Sequence, residues 1–365
     1  LRSRRETGVI MTGRRAQLLA ALSLSLALTA GSALAHEGHD CTSAPGGAGP
    51  AAAAAKTFLD SLAPLDRIVT VRTFSRGAAT RWSNLPQALA PRVGVRLGDL
   101  NEAQTAAANA LLKTALSSCG IELLDGIRAA DAFLKPLDSR KIGWDAANYF
   151  VAFIGQPSPD KPWSLKVDGH HIALNITFNA AHVSATPLFD GVEPVEFKVG
   201  DRAYEPLAPQ AGAMRALATA LAGTPAAKLE GQFRDVTRGS TPDGDTDFPV
   251  TYPQGTTGRG VAYSALPPAQ QALVRTAMSR WVELPNGAIS KPLMADYSTA
   301  AALAQTYVGV AGASDLSRPG SYVRIDGPRV WIEFVVQPAV ADGAKIHYHT
   351  IWRDKLADYG GAFAR

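Results

Sequence analysis

Cysteine is scarce in this 365-residue sequence: Cys41 and Cys119 are the two present, and no CxxC pair exists, which removes a thioredoxin-type redox reading. The sequence also lacks a GxSxG elbow, a phosphate-binding glycine loop and an HExxH motif, so hydrolase, nucleotide-binding and zincin readings have no support. Charge of one sign is missing too. The 36 basic and 32 acidic residues include five arginines and one glutamate within residues 1–35, and the remainder balances at 31 and 31. No nucleic-acid partner is implied. Apart from the run Leu18 to Ala30, no long apolar stretch occurs, and that run falls short of the roughly 20 residues a membrane span needs.

What is present near the start reads as an export signal. Met11 opens a segment with Arg14 and Arg15, the apolar run, and Ala33-Leu34-Ala35 as a cleavage site, with residues 1–10 upstream. The expected location is periplasmic or secreted, with no transmembrane anchor after cleavage. The paired arginines also admit twin-arginine export. An oxidising compartment would allow Cys41 to pair with Cys119 and pin the tail to the first folded part, or the two remain free thiols. Gly-His-Asp before Cys41 does not fit a lipid-attachment site.

A 46% hydrophobic, 19% charged composition supplies material for a core. After the signal (residues 1–35), residues 36–55 read as a flexible tether rich in Ala, Gly and Pro. Two halves then echo one another, 56–204 and 205–365. Phe58 to Leu65 leading to Phe74 parallels Met214 to Leu221 leading to Phe233. GVRLGDLNEAQ at 94–104 parallels GVAYSALPPAQ at 260–270, each opening a helix with Asp99 or Asn101, or Ser264, as caps and Pro267 in the first turn. LKVDGHHIALNITF at 165–178 parallels VRIDGPRVWIEFVV at 323–336, with Asp-Gly as the turn of a β-hairpin. The offsets are 159, 166 and 158 residues, which suggests a duplication. The expected fold is α+β: two tandem helix-plus-hairpin repeats related by a pseudo-twofold and joined through a central antiparallel sheet. Residues 231–260 read as a long surface loop.

The seven histidines fall in three places: His36 and His39; His170, His171 and His182; His347 and His349. On a strand, His347 and His349 share a face and can offer two imidazoles to one metal, with His170 or His171 as the third ligand. Strand alternation sends His170 and His171 to opposite faces unless the turn continues through them, so one ligand and one supporting residue is the favoured arrangement. Asn175, Glu333 and Asp354 are the polar groups expected to orient these imidazoles. Trp163 and Trp352 flank the two clusters and could line a pocket, although such aromatics are more often core plugs. Cleavage after Ala35 would leave His36 as an N-terminal amine-imidazole chelate, with His39 nearby, suited to Cu(II). The plainer alternative for both clusters is ordinary polar surface and a tail that picks up divalent ions weakly.

RWSNLP, the PSPDxPW run before GHHIALN, SATPLF and the closing HYHTIWRD together resemble the domain of unknown function 3500 family, over roughly Lys56 to Asp354. That resemblance implies a bacterial, often secreted protein and brings no activity or catalytic residue. It marks His170, His171, His347, His349, Trp352, Arg353 and Asp354 as the recognisable centre, while Lys161 departs from the expected smaller or acidic residue. The functional expectation is a histidine-ligated zinc or copper protein, either an enzyme with an open metal position acting on an unknown small molecule or a metal carrier. The alternative is a metal-free small-ligand-binding or structural envelope protein.

Overall fold

A computed structural model describes residues 40–179, 182–238, 245–341 and 343–363. His36, His39 and the expected signal lie outside these residues. The chain runs through α1 (Ala48–Ser61), α2 (Pro64–Thr70), β1 (Val71–Arg72), α3 (Arg76–Ala79), β2 (Val95–Arg96), α4 (Glu102–Ala115) and α5 (Ser118–Leu134). It continues through β3 (Phe150–Ile154), β4 (Trp163–Gly169), β5 (Ile172–Asn179), β6 (His182–Ser184), β7 (Leu188–Val192), β8 (Phe197–Val199) and β9 (Arg202–Tyr204). The remainder is α6 (Ala208–Leu221), β10 (Val261–Ala262), α7 (Pro268–Val282), α8 (Gly287–Tyr297), α9 (Ala300–Ala304), β11 (Tyr307–Ala311), β12 (Tyr322–Asp326), β13 (Val330–Pro338) and β14 (Ile346–Asp354).

The result is a mixed α+β fold built on one large, mostly antiparallel sheet in the order β1-β3-β4-β5-β7-β14-β13-β12-β11-β10, with β2 on β3 and β6 on β5. Among the described strands, the exception to antiparallel pairing is β1 on β3. The middle of the sheet is the β7·β14 pair, where Asp190 sits opposite Thr350. Outward from it, β5, β4, β3 and β2 follow on one side, and β13, β12, β11 and β10 on the other. A parallel bridge of Lys228 to Val310 sits against β11 as β1 sits against β3. Gly94 and Gly260 precede β2 and β10, both with positive φ (102° and 94°), and a Cβ on either would strike the carbonyl of Val151 or Val308. Only glycine fits there.

Strand alternation gives the sheet two unlike faces. One is apolar and packs Leu165, Ile176, Leu188, Phe334 and Trp352 against helix residues such as Phe58, Leu111, Leu124, Met214 and Trp281. Each such side chain removed from water contributes roughly 1.5–3 kcal/mol. The other face is covered by irregular chain: Trp82 and Val236 meet Ala173, Phe189, Tyr322, Val335 and Ile351 in a smaller cluster. Among the described residues, 231–238 and 245–260 thus cover the sheet as well as lying between α6 and β10.

Three local expectations are corrected. Within the expected tether, Cys41 is disulfide-bonded to Cys119. Thr42 exchanges hydrogen bonds with Ser118, and α1 starts at Ala48 with Ala51, Ala52 and Ala55 buried. An alanine run is a strong helix former, and docked on α4 it is no linker. Of the two caps expected for α4, Asn101 is the one used, in a capping box with Gln104, whereas α7 opens at Pro267-Pro268 rather than at Ser264. Finally, β4 runs through Asp168-Gly169, and the turn residues are His170 and His171. Gly169 serves close approach, because a Cβ there would enter the ring of Tyr149.

Candidate metal centre

His347 and His349 project from the loop-covered face of β14, opposite Gln337 and Val335 of β13. His171 reaches the same place from the β4–β5 turn, in the left-handed region at φ 61°. That unusual backbone is held from both sides. His171 N–H donates to the Asn84 carbonyl (3.1 Å), and its own carbonyl accepts from Gly191 N–H (2.8 Å). Gly191 is also what leaves room for the rings: a Cβ would lie 2.7 Å from the Tyr348 carbonyl oxygen, 3.0 Å from His349 Cδ2 and 3.1 Å from His171 Cδ2.

One ligand atom from each of His171, His347 and His349 lies within 4.8 Å of the other two, and all three residues are buried. Ring centroids are 4.7 Å apart for His347–His349, 5.2 Å for His171–His349 and 5.6 Å for His171–His347. The outer nitrogens are occupied. His347 Nδ1 is 2.9 Å from the Pro338 carbonyl, and His349 Nδ1 is 2.9 Å from Asp235 Oδ1 and 3.1 Å from Gln337 Nε2. Those partners fix ring orientation and leave Nε2 of both imidazoles for another use.

Burial first, then the neighbouring imidazoles, pushes His171 well below the ordinary histidine range. His347 is pushed down to about 3 by burial and by His349, with the Pro338 carbonyl pulling the other way. Both are therefore neutral near pH 7, the form in which an imidazole offers a lone pair.

His170 belongs to a different arrangement. Its ring stacks on His171 at 3.8 Å, but its Nδ1 pairs with Asp131 Oδ1 on α5 at 2.6 Å. Tyr149 donates to the other oxygen of Asp131 (2.9 Å). His182 lies on β6, away from the turn.

A family model described as "Protein of unknown function (DUF3500)" matches residues 47–361. The chain belongs to that family. No curated protein and no solved structure matches it.

Of the motif residues of this DUF3500 chain, the structure gathers His171, His347 and His349 and sends the rest elsewhere. Asn175 donates to the Pro187 carbonyl. Glu333 accepts from Tyr322, Trp331 and Thr237. Arg353 is buried between Asp245 and Asp358, and Asp354 holds Arg329 and Tyr297. Trp163 stacks on Phe178, and Trp352 meets Tyr297, both in the helix-facing core. The expectation that Asn175, Glu333 or Asp354 orients the imidazoles, or that Trp163 and Trp352 line a pocket beside them, is therefore corrected. The groups in those roles are Asp131, Asp235, Gln337 and the Pro338 carbonyl. Asp131 and Asp235 lie far from the histidines in sequence and carry no motif, so tertiary packing alone reveals them.

Proposed function

We propose that this is an exported metal-binding protein in which His171, His347 and His349 hold zinc or copper. The observation that carries the reading is three buried imidazoles converging within 4.8 Å while His347 and His349 have their far nitrogens engaged by a carbonyl and a carboxylate. Imidazoles suit both metals, and tetrahedral nitrogen ligands at about 2.0–2.1 Å stand about 3.4 Å apart, so small ring rotations would close the set. Three protein ligands leave a fourth position, where a bound ion would lower the pKa of a water and make hydroxide available.

The reading of two tandem repeats, 56–204 and 205–365, related by a pseudo-twofold through the β7·β14 pair, is supported by the mirrored strand order and the matched parallel bridges. Matched ion pairs, Arg92 with Asp168 and Arg259 with Asp326, support it further. Export through the signal at residues 11–35 to a periplasmic or extracellular location is supported by the Cys41–Cys119 disulfide, since such bonds persist in oxidising compartments.

The test uses the chain from His36, purified without a histidine tag and carrying His36→Ala and His39→Ala to remove the N-terminal chelate. Elemental mass spectrometry is expected to find near-stoichiometric zinc or copper, lost when His347→Ala and His349→Ala are added. A parent that is empty and resists reconstitution overturns the reading.

A further inference from the structure

The loop-covered face carries a second polar cluster, centred on Trp331 at the far end of the β13·β14 pair from the histidines. Trp331 sits opposite Arg353, four residue positions from His349, or about 13 Å along the strand. Three cations surround its buried indole: Arg324 with its guanidinium carbon 4.9 Å from the ring centroid, Lys355 Nζ at 5.3 Å and Arg238 at 5.6 Å. The Tyr252 ring, 5.1 Å away, closes the remaining side.

The positive charge here is not balanced. Lys355 and Arg259 share the single carboxylate of Asp326. Arg353 is neutralised by Asp245 and Asp358. Glu333 stands directly across from Arg324, yet its oxygens accept from Tyr322, Trp331, Thr237 and the backbone N–H of Arg238. Among the described residues no carboxylate ion-pairs with Arg324 or Arg238. The Nε of each is buried without a hydrogen-bond partner, and Arg324 is only 5% exposed. Arg324 donates to the Gly258 carbonyl and Arg238 to the Thr237 carbonyl, both uncharged acceptors.

Unanswered guanidinium N–H groups beside a surplus of cations are the complement of an oxyanion, which accepts charge-assisted hydrogen bonds in the plane of the arginine fork. Trp331 is wholly buried beneath the cations, so an aromatic ligand gains no stacking surface. We propose that this cluster, between β12, β13 and the 245–260 segment, binds a small oxyanion of the phosphate or carboxylate class, held by Arg324, Arg238 and Lys355.

Thermal unfolding and calorimetric titration with inorganic phosphate and with acetate, against sodium chloride at matched ionic strength, test this. A saturable rise in Tm with one oxyanion and none with chloride is expected, and the better oxyanion identifies the class. Arg238→Gln is expected to weaken that binding at least tenfold while leaving Tm without phosphate near the parent value. Arg324→Gln is expected to act in the same direction, and should it fail to fold, Arg238→Gln decides. In the His347→Ala, His349→Ala background the response persists, which separates this cluster from any anion bound at a metal. No saturable response, or undiminished binding by Arg238→Gln, overturns the proposal.

Discussion

The β4–β5 and β12–β13 hairpins reach their turns by the same step, Asp168-Gly169 in one and Asp326-Gly327 in the other, and each aspartate is clamped by an arginine from the segment before β2 or β10. Their tips differ. His170-His171 turns one tip into a meeting place for imidazoles, whereas Pro328-Arg329 turns the other into an ion-pair site, Arg329 reaching Asp354 (2.6 Å) and Asp296. A shared backbone scaffold is thus compatible with two chemistries, and the two residues at the turn, with what the rest of the chain brings to meet them, decide which one appears.

The sharpest way to break this contrast is at the tips. His171→Ala is expected to lower metal affinity by more than a hundredfold in a competition titration, because two imidazoles remain, while Arg329→Ala leaves metal binding unchanged. Equal effects from the two would show that the tips are not specialised. His170→Ala and Asp235→Asn act on groups that support the ligands, and each is expected to cost about 10–100-fold in affinity in the same assay. For Gly191→Ala, the new methyl meets His171, His349 and a carbonyl at once, so denaturant unfolding should report a loss of about 1–3 kcal/mol together with weaker metal uptake. Arg329→Ala itself should cost about 1–2 kcal/mol by the same method, the pair being partly exposed on the arginine side.

A further contrast is a pH slope at the sheet centre. Asp190 is fully buried, with Thr350 donating to one oxygen and no partner on the other, and burial pushes its carboxyl up to about 7 against the Thr350 hydrogen bond. Between the unfolded value of about 3.9 and about 7, the folded chain retains a proton that the unfolded chain releases, so this group's contribution to stability falls as pH rises through that window. Urea midpoints at pH 5 and pH 8 should show the parent losing more stability than Asp190→Asn over that interval. Parallel curves would contradict the assignment.

Much of the helix and hairpin pattern is legible in the sequence, because period-two alternation marks β4, β5 and β12–β14, and caps and breakers mark α4 and α7. The same alternation places His347, His349 and Arg353 on one face and Trp352 and Asp354 on the other, since an odd separation crosses the sheet. The helix α1 is obscured by its alanines, whose small side chains leave a faint hydrophobic period. The turn is misplaced because Asp-Gly ordinarily signals one, whereas Gly169 is required by the Tyr149 ring packed on it. Nothing local could have paired His170 with Asp131 or His349 with Asp235, which meet across 39 and 114 residues of chain.

The central claim concerns three imidazoles on one ion, and extended X-ray absorption fine structure on the metal-loaded chain, with His36→Ala and His39→Ala in place, counts them directly. The account predicts three imidazole nitrogens at about 2.0–2.1 Å for zinc, falling to one in His347→Ala, His349→Ala if any metal is held at all. A metal shell without imidazole scattering, or one unchanged in that variant, would contradict it.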